Sequence, residues 1–312
     1  MELVAGIDFG GTSAKIGLVD RTGRILAKAA VAMKAQDSFD EIVAPVARCL
    51  DGLLQAHADR KSLRGVGIGT PGFIDKKEGL LIGGCENIPA LKNRSVQAAL
   101  GAAFSVPAFA DNDANCAAAG ELAFGAGRTF TDFVLITVGT AIGGGLVMGG
   151  RVYRGWRGFA GEIGHICVNP GGLWCNCGSR GCFEQYASGT ALSRAYAEKL
   201  RKRGRAGGEI SAKTVVDAAR AGDTLAIDAL QEAGRWIAQA FGSILNVLDL
   251  EACIVSGGVS DAGEMLLEPI RRNLPDFCWP QIGQDVQVRA GELHNDAGIL
   301  GAAAQAFGRL EA

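Results

Sequence analysis

The sequence predicts an α/β fold with two domains, and three observations support this prediction. Its 312 residues are enough for two domains of ordinary size, each with a core of its own. Short apolar runs typical of buried strands alternate with stretches of helical apolar spacing. Glycine accounts for 46 residues, roughly twice its usual share, and gathers at the ends of the apolar runs, where backbone approaches a ligand or turns sharply.

The chain begins with a predicted strand, a glycine turn and a second strand. Apolar runs from Leu3 to Ile7 and from Ala14 to Val19 form the strands. Backbone N–H groups and a hydroxyl in the turn can hold phosphate oxygens, and the carboxylate before the turn can hold Mg²⁺ directly or through water. The residues concerned are Asp8, Gly10, Gly11 and Thr12. An ordinary β-hairpin is the alternative, whereas a Walker A loop is excluded because the chain has no G-x4-G-K-[ST] sequence.

A cluster of polar residues marks the next switch from strand to helix. Helical spacing from Phe39 to His57 and a buried strand from Val66 to Thr70 precede it. A polar loop with Asn87, whose amide can bond a hydroxyl, comes next, and a strand then leads into Asp111-Asn112-Asp113-Ala114-Asn115. Helix capping needs only one such side chain, so we interpret this cluster as a carboxylate base with an amide neighbour. The alternative is that one aspartate merely caps the helix.

The opening strand-turn-strand pattern recurs more than a hundred residues later. Phe133 to Val138 is a buried strand that ends in glycine and threonine, and a further strand follows at Leu146 to Met148. Two such hairpins predict two related halves that face one nucleotide. A third glycine turn, Gly257-Gly258, follows the strand at Cys253 to Val255.

The stretch from Phe159 to Glu184 predicts a metal site. Three cysteines stand in C-x-C-x4-C spacing, with one histidine ten positions before the first of them. Three thiolates and an imidazole form a tetrahedral set suited to Zn²⁺. The residues are His165, Cys175, Cys177 and Cys182, with Cys167 as a possible substitute. Buried thiols without metal are the alternative, but they have no reason to cluster in this spacing.

Composition argues against several classes of protein. The net charge is −2 and like charges form no block, so nothing indicates nucleic-acid binding. No apolar run approaches the roughly 20 residues of a membrane span. Neither a basic nor an apolar leader segment precedes the first strand. Nine cysteines, three of them candidate metal ligands, favour a reducing cytoplasm over a disulfide scaffold.

Six motifs, collinear over most of the chain, resemble those of the ROK family. This family groups repressors, open reading frames of unknown role and bacterial sugar kinases. The glycine turns are weakly specific, whereas the histidine and cysteine motifs are highly specific. The motifs are Asp8-Phe9-Gly10-Gly11-Thr12, Gly69-Thr70-Pro71-Gly72, Asn112-Asp113-Ala114-Asn115, Gly139-Thr140 to Gly145, Gly161-Glu162-Ile163-Gly164-His165 and Cys175-Asn176-Cys177-Gly178 to Gly181-Cys182-Phe183-Glu184.

The resemblance implies an ATP-dependent sugar kinase with Asp113 as the base that acts on a sugar hydroxyl. The sugar-binding residues it implies are Gly72, Asn87, Asn112, Asp113, Glu162, His165 and Glu184. ATP and Mg²⁺ lie between the two hairpins, at Asp8, Gly10, Gly11, Thr12, Gly139, Thr140, Gly257 and Gly258, with the Gly298 region near the adenosine. Structural Zn²⁺ is held by His165, Cys175, Cys177 and Cys182.

The implied substrate is a hexose, with glucose as the first choice. N-acetylmannosamine, N-acetylglucosamine, fructose and allose are alternative substrates, and polyphosphate is an alternative donor. Two loops differ from the family pattern. Ser13 follows Thr12 where the family usually has lysine, so that the nearest lysine is Lys15. The sugar loop continues from Asn87 as Ile-Pro-Ala-Leu, where glucokinase-like members often read Leu-Pro-Gly-Trp.

The resemblance also implies an actin/Hsp70/hexokinase-like (RNase H-like) fold of two domains with a cleft between them. We expect a smaller domain at 1–112, to which the helix at 296–312 returns, and a larger one at 113–295 with the zinc loop. A homodimer is usual in the family. A sugar-sensing repressor is disfavoured because the first phosphate loop begins within ten residues of Met1, which leaves no room for a helix-turn-helix. A chaperone or filament protein would need neither the sugar ligands nor the zinc loop.

Overall fold

The computed structural model describes residues 2–75, 78–205 and 208–311. These residues form two compact units. The first unit runs to Thr129 and includes the segment Gly150–Gly161 and the chain from Asn295 onward, while the second comprises Phe130–Gly149 and Glu162–His294. Among the described residues, no helix combines the length and apolar character that a membrane span requires.

Strands and helices alternate along both units, as an α/β fold requires. The strands are β1 Leu3–Phe9, β2 Ser13–Asp20, β3 Ile25–Ala32, β4 Leu63–Thr70, β5 Phe73–Ile74, β6 Leu81–Gly83, β7 Ala108–Asn112, β8 Phe133–Val138, β9 Ile142–Met148, β10 Arg151–Val152, β11 Ala252–Ser256 and β12 Gln287–Ala290. The helices are α1 Phe39–His57, α2 Val96–Phe104, α3 Asp113–Phe124, α4 Glu184–Ala187, α5 Gly189–Lys202, α6 Ala212–Arg220, α7 Thr224–Leu248, α8 Glu264–Asn273, α9 Pro280–Gly283 and α10 Ala297–Leu310.

The sheet of the first unit has the order β3-β2-β1-β4-β7. The strands β1, β4 and β7 run parallel, and β2 returns antiparallel beside β1. Their register sets Asp8 beside Gly69 and Gly69 beside Asp111. Three neighbouring strands therefore reach their carboxyl ends at one level, which is the edge where α/β sheets bind ligands.

Successive residues of β1 face opposite sides of this sheet. Ile7 and Phe9 are buried in a core that they share with the apolar side of α1. On the other face, glycines let α10 approach the sheet very closely. A Cβ at Gly6 would lie 2.1 Å from the carbonyl oxygen of Ile299, and one at Gly67 would lie 1.8 Å from that of Ala302. Any side chain at these glycines would push α10 away from the sheet.

Close packing also joins α10 to α3. A Cβ at Gly301 would lie 1.7 Å from the carbonyl oxygen of Cys116, so the two helices touch through backbone. Because of this contact α3 belongs to the first unit, and the structure differs here from the predicted division at 112/113. The segment Gly150–Gly161 likewise returns to the first unit.

Within its sheet, the strands that the second unit contributes follow one another in the order β9-β8-β11-β12. The strands β8, β11 and β12 are parallel, and β9 turns back antiparallel beside β8. The 25-residue helix α7, capped by Asp223, buries its apolar face in the core of this unit. Each of the hairpins β1–β2 and β8–β9 is closed by a short turn, with Phe9 opposite Ala14 in the first and Val138 opposite Ile142 in the second. The predicted recurrence of the hairpin is therefore confirmed.

Candidate functional site

In the first unit, the predicted ligand-binding residues gather at the carboxyl ends of β1, β4 and β7. The turn between β1 and β2 is exposed from Gly10 to Thr12. The Gly10 N–H donates to the carbonyl of Ser13 at 2.9 Å, and the Thr12 carbonyl accepts from the N–H of Met33 at 2.8 Å. These two bonds fix a tight turn whose remaining groups face solvent, as a phosphate loop requires.

Asp8, the last residue but one of β1, occupies a desolvated position between a lysine and a helix. Burial raises the pKa of Asp8 above its ordinary value, and the charge of Lys15 opposes that shift. Lys15 lies opposite Asp8 in the β1–β2 register. A Cβ at Gly298, in the first turn of α10, would lie 2.4 Å from the carboxyl carbon of Asp8. Gly298 is thus needed to make room for this carboxylate.

Asn112 and Asp113 form the start of α3. The Asn112 side-chain oxygen accepts from the N–H groups of Ala114 at 2.9 Å and Asn115 at 3.3 Å, so Asn112 is the N-cap. One Asp113 oxygen accepts from the Ala114 N–H at 2.8 Å. The Asn112 amide donates to the Gly72 carbonyl at 3.3 Å. Since Asn112 performs the capping, Asp113 is not required as a cap.

Two further predicted residues lie around the same strand ends. Gly72 has a φ of +91°, and a Cβ on it would lie 2.2 Å from the carbonyl oxygen of Gly83. The turn therefore accepts only glycine at this position. Asn87 is exposed, and its Cβ lies 3.6 Å from where a Cβ on Gly11 would be. The loop carrying Asn87 thus runs beside the predicted phosphate loop.

In the second unit, the four predicted metal ligands converge. The Nδ1 atom of His165 lies 3.5 Å from the Sγ atom of Cys175, and the Sγ atoms of Cys177 and Cys182 are also 3.5 Å apart. All four potential ligand atoms lie within 4.8 Å of one another. Zinc–sulfur bonds of ~2.3 Å in a tetrahedron put neighbouring ligand atoms ~3.8 Å apart, so this set has the dimensions of a zinc site.

Backbone hydrogen bonds shape the loop around these ligands. The Cys175 N–H donates to the Ser179 carbonyl at 2.8 Å, and the Gly178 N–H donates to the Cys175 carbonyl at 3.0 Å. Burial, together with the neighbouring thiols of Cys177 and Cys175, raises the pKa of Cys182 to about 12. Three clustered thiols therefore resist ionising together unless a cation compensates their charge.

Cys167 lies next to the four-ligand set without joining it. Its Sγ atom is 3.5 Å from the Arg180 carbonyl oxygen. The geometry thus favours Cys182, and not the suggested substitute Cys167, as the ligand beside Cys177.

Two glutamates flank the metal set. The Glu162 carboxylate lies 3.9 Å from the Nε2 atom of His165, the nitrogen that faces away from Cys175. One Glu184 oxygen accepts from the Ile142 N–H at 3.2 Å. Burial raises the pKa of Glu162, and the nearby charge of Glu184 adds to the shift while that of His165 opposes it. The Glu162 carboxylate is thus held as an acceptor near the imidazole, while the Ile142 N–H fixes the carboxylate of Glu184.

A cavity of about 460 Å³ opens beside the β8–β9 turn of the second unit. Three predicted nucleotide-binding residues line it, Gly139, Thr140 and Gly258. The Gly189 N–H donates to the Gly139 carbonyl at 2.7 Å, and the Thr190 hydroxyl donates to the Thr140 carbonyl at 2.8 Å. The start of α5 therefore fixes the shape of the turn.

Gly257 packs against the end of β8, next to the turn that lines this cavity. It has a φ of +87°, and a Cβ on it would lie 2.7 Å from the backbone nitrogen of Val138. The remaining wall comes from residues that the sequence did not suggest: Gly189, Thr190, Ser193, Ile210, Ser211, Ala212, Lys213 and Val259.

A comparison with family models matches residues 4–308 to the ROK family. The chain belongs to the ROK family. Among its relatives, the glucokinase of Halalkalibacterium halodurans is 36% identical over 95% of this chain and 92% of its own length. The crystal structure of a ROK family glucokinase from Streptomyces griseus, in complex with glucose and AMPPNP, is 36% identical. It covers 98% of this chain and 99% of its own with a TM-score of 0.83, which confirms the predicted fold class.

ROK repressors also resemble the chain, but over a smaller part of their length. The xylose repressor of Bacillus spizizenii is 31% identical, and the match covers 77% of this chain and 60% of the repressor. The ROK glucokinases therefore correspond to this chain nearly end to end, whereas the repressor has a substantial additional part.

Proposed function

We propose that this protein phosphorylates glucose with ATP to give glucose 6-phosphate. The broader activity, that of an ATP-dependent sugar kinase, follows from the family match and the full-length glucokinase relatives. The observation that carries the finer proposal is the convergence of Asp8, the Gly10–Thr12 turn, Asn87, and the Asn112-Asp113 turn at one edge of the first sheet.

In this proposal Asp113 is the general base. Its carboxylate accepts the proton of the sugar hydroxyl while the hydroxyl oxygen bonds to the γ-phosphorus, the bridging bond breaks and ADP leaves. General-base catalysis of this kind contributes about 10²–10⁴-fold to the rate. The position at the start of α3 supports the role, because a helix N-terminus favours the ionised carboxylate.

The remaining sugar hydroxyls need hydrogen-bonding partners of their own. We propose that Gly72, Asn87 and Asn112 contribute from the first unit, and Glu162, His165 and Glu184 from the second. Each offers a hydrogen-bonding group at a fixed place in a loop or strand end. A substrate that lacks one hydroxyl would leave such a group unpaired, and this is how the site selects among sugars.

Nucleotide binding is assigned to the glycine turns. We propose that Gly10, Gly11 and Thr12 bind phosphate oxygens and that the adenosine occupies the cavity lined by Gly139, Thr140 and Gly258. Asp8 fits a role in holding Mg²⁺, because a cation offsets the desolvation that raises its pKa. When bound, Mg²⁺ neutralises charge on the phosphates.

Zinc is proposed as a structural brace. The four ligands would form a closed site of the kind that stabilises a loop and leaves no open position for chemistry. Bound through Nδ1, His165 would present Nε2 to the sugar, next to the carboxylate of Glu162.

An ATP-consumption assay across sugars tests the proposal. Glucose should give the highest kcat/KM among glucose, fructose, allose, N-acetylmannosamine and N-acetylglucosamine. A preference for an N-acetylhexosamine would overturn glucose as substrate while leaving the kinase assignment intact. Replacing ATP with polyphosphate in the same assay tests the donor.

We also propose a cytoplasmic homodimer that binds no nucleic acid. A site made of three thiolates persists in a reducing compartment, which supports the location. The net charge of −2 gives no electrostatic attraction to a phosphate backbone. Sedimentation of the purified protein should give twice the 32.3 kDa chain mass, and a gel shift should show no DNA complex.

A further inference from the structure

A partly buried ion pair is formed by Asp111, the residue immediately before the Asn112-Asp113 turn. Arg154, in the segment Gly150–Gly161, donates from Nε to one carboxylate oxygen of Asp111. The Asp111 side chain is only 8% exposed and that of Arg154 25%. The two charges are therefore largely removed from water, where an ion pair is held only by good geometry and further hydrogen bonds.

Asp111 makes such further hydrogen bonds with the proposed catalytic turn. The second oxygen of Asp111 accepts from the Asn112 N–H at 2.8 Å and from the Asn115 side-chain amide at 3.0 Å. Arg154 is itself fixed by a bond from Nη1 to the Val152 carbonyl at 3.2 Å. Asp111 thus links the arginine to the backbone immediately before Asp113.

The neighbourhood is rich in negative charge. The buried thiol of Cys116 has its pKa raised by burial and then by the charges of Asp111, Asp8 and Asp113, while Arg154 lowers it. Three carboxylates therefore lie near a single thiol. Arg154 provides positive charge among them at close range.

A second guanidinium approaches from α10. Arg309 lies over the ring of Phe109 at 5.6 Å, and burial lowers its pKa, with Arg154 adding to the shift and Asp111 opposing it. Among the described residues, the charged and titratable groups around the turn include Asp8, Asp111, Asp113, Cys116, Arg154 and Arg309.

The segment carrying Arg154 has one more anchor. The ring of Phe159 lies 5.0 Å from that of Phe73, in the strand after Gly72. Arg154 and Phe159 together fix Gly150–Gly161 to the strand ends of the first unit.

We propose that Arg154 is a positioning residue for phosphoryl transfer: by neutralising Asp111 it holds the Asn112-Asp113 turn in place and offsets the negative charge near Asp113. This inference rests on the proposed role of Asp113 as base. Without the guanidinium, Asp111 would be a buried, uncompensated carboxylate beside a catalytic carboxylate. The planar guanidinium of Arg154 donates to Asp111 and to the Val152 carbonyl at the same time, and a lysine ammonium cannot reproduce this geometry.

The test compares four variants by the pH profile of kcat/KM for glucose. Arg154→Gln should lower kcat about 10–100-fold, because small misplacements of a base have effects of this size. It should also move the acidic limb of the profile, the pH range in which kcat/KM falls as the base is protonated, to higher pH. Asp111→Asn, which leaves Arg154 unopposed, should move the same limb to lower pH. The double variant Arg154→Gln/Asp111→Asn should return the limb to its original position and recover part of kcat. Arg154→Lys should retain the limb and only part of kcat.

Arg151→Gln is the matched control. Arg151 is an exposed arginine of the same segment, so its replacement should leave both kcat and the pH profile unchanged. If Arg154→Gln does not fold, Asp111→Asn and the double variant still decide the matter.

Two results would overturn the inference. In one, Arg154→Gln or Asp111→Asn reduces activity and stability with the acidic limb unmoved, as a purely structural pair would. In the other, the double variant keeps the limb where a single variant put it. Full turnover by Asp113→Asn would instead refute the proposed base. With Asp113→Asn inactive and the limb unmoved, only the role of Arg154 fails.

Discussion

Lys15 lies directly opposite Asp8 in the antiparallel pair of β1 and β2. The chain lacks the lysine that usually ends the first loop in the family, with Ser13 in that place. Lys15 nevertheless supplies positive charge to this end of the strand, since it opposes the rise in the Asp8 pKa. Its amino group also donates to the Asn295 carbonyl at 3.4 Å, close to the start of α10.

Replacing Asp8 with asparagine should raise thermal stability and abolish catalysis. The folded-state pKa of Asp8 is raised, so folding disfavours the ionised form, and the native state is penalised above the unfolded-state pKa of about 4. The gain in melting temperature should therefore be largest at neutral pH and disappear as pH falls through the raised pKa toward 4. Calorimetry of the protein across pH, without added Mg²⁺, measures it.

Lys15→Met is the counterpart of that change. It removes the charge that favours ionised Asp8, so it should lower the melting temperature at neutral pH. A fall in stability for Asp8→Asn at pH 7 would contradict the interpretation that burial of the Asp8 carboxylate destabilises the folded protein.

The Asp113→Asn variant should lose turnover while it retains glucose binding. The amide keeps the size of the side chain and its acceptor for the Ala114 N–H, but it cannot accept the hydroxyl proton. We expect kcat to fall about 10²–10⁴-fold, with the Kd for glucose, measured by calorimetry, within a few-fold of the original. Near-normal turnover would rule out this base.

Cys177→Ser and Cys167→Ser separate a zinc ligand from its neighbour. Both cysteines are exposed and lie in the same loop, but only Cys177 belongs to the converging set. Metal analysis should find zinc near one per chain in the original and in Cys167→Ser, and little in Cys177→Ser. The KM for glucose should rise about 10–100-fold in Cys177→Ser, while that for ATP stays unchanged. Zinc retained by Cys177→Ser would disprove the ligand set.

Gly258→Val should weaken ATP binding selectively. A Cβ on Gly258 meets no described atom within 4 Å, so the fold accepts it, yet the side chain enters the cavity assigned to adenosine. The KM for ATP should rise at least about tenfold, with glucose binding unchanged. Gly52→Val is the control, because that exposed glycine of α1 is equally unobstructed. Equal effects of the two variants would exclude the cavity as the nucleotide site.

Much of the candidate site was predictable because its signals are local. The strand ends, the glycine turns and the spacing from His165 to Cys182 are written in consecutive residues, and each constrains backbone shape directly. The N-cap was less certain: capping favours aspartate and asparagine alike, so only the structure assigns it to Asn112.

What the sequence did not predict depends on contacts between distant segments. Ser193 and Lys213 reach the same cavity from two helices, and no motif joins them. Arg154 finds Asp111 across 43 positions, among several arginines that look equivalent in the sequence. The membership of α3 in the first unit depends on Gly301, whose role is visible only in the packing of two helices.

The backbone contacts of α10 affect the order in which the two units complete their folding during synthesis. Gly6 and Gly67 have no side chains to shield their face of the sheet, and the cover comes from residues 297–310. While the ribosome is still making the chain, the first unit therefore exposes this face although its strands have long since emerged. The second unit has all its strands by Ala290 and can complete its core earlier. The half made first is consequently the half that finishes folding last.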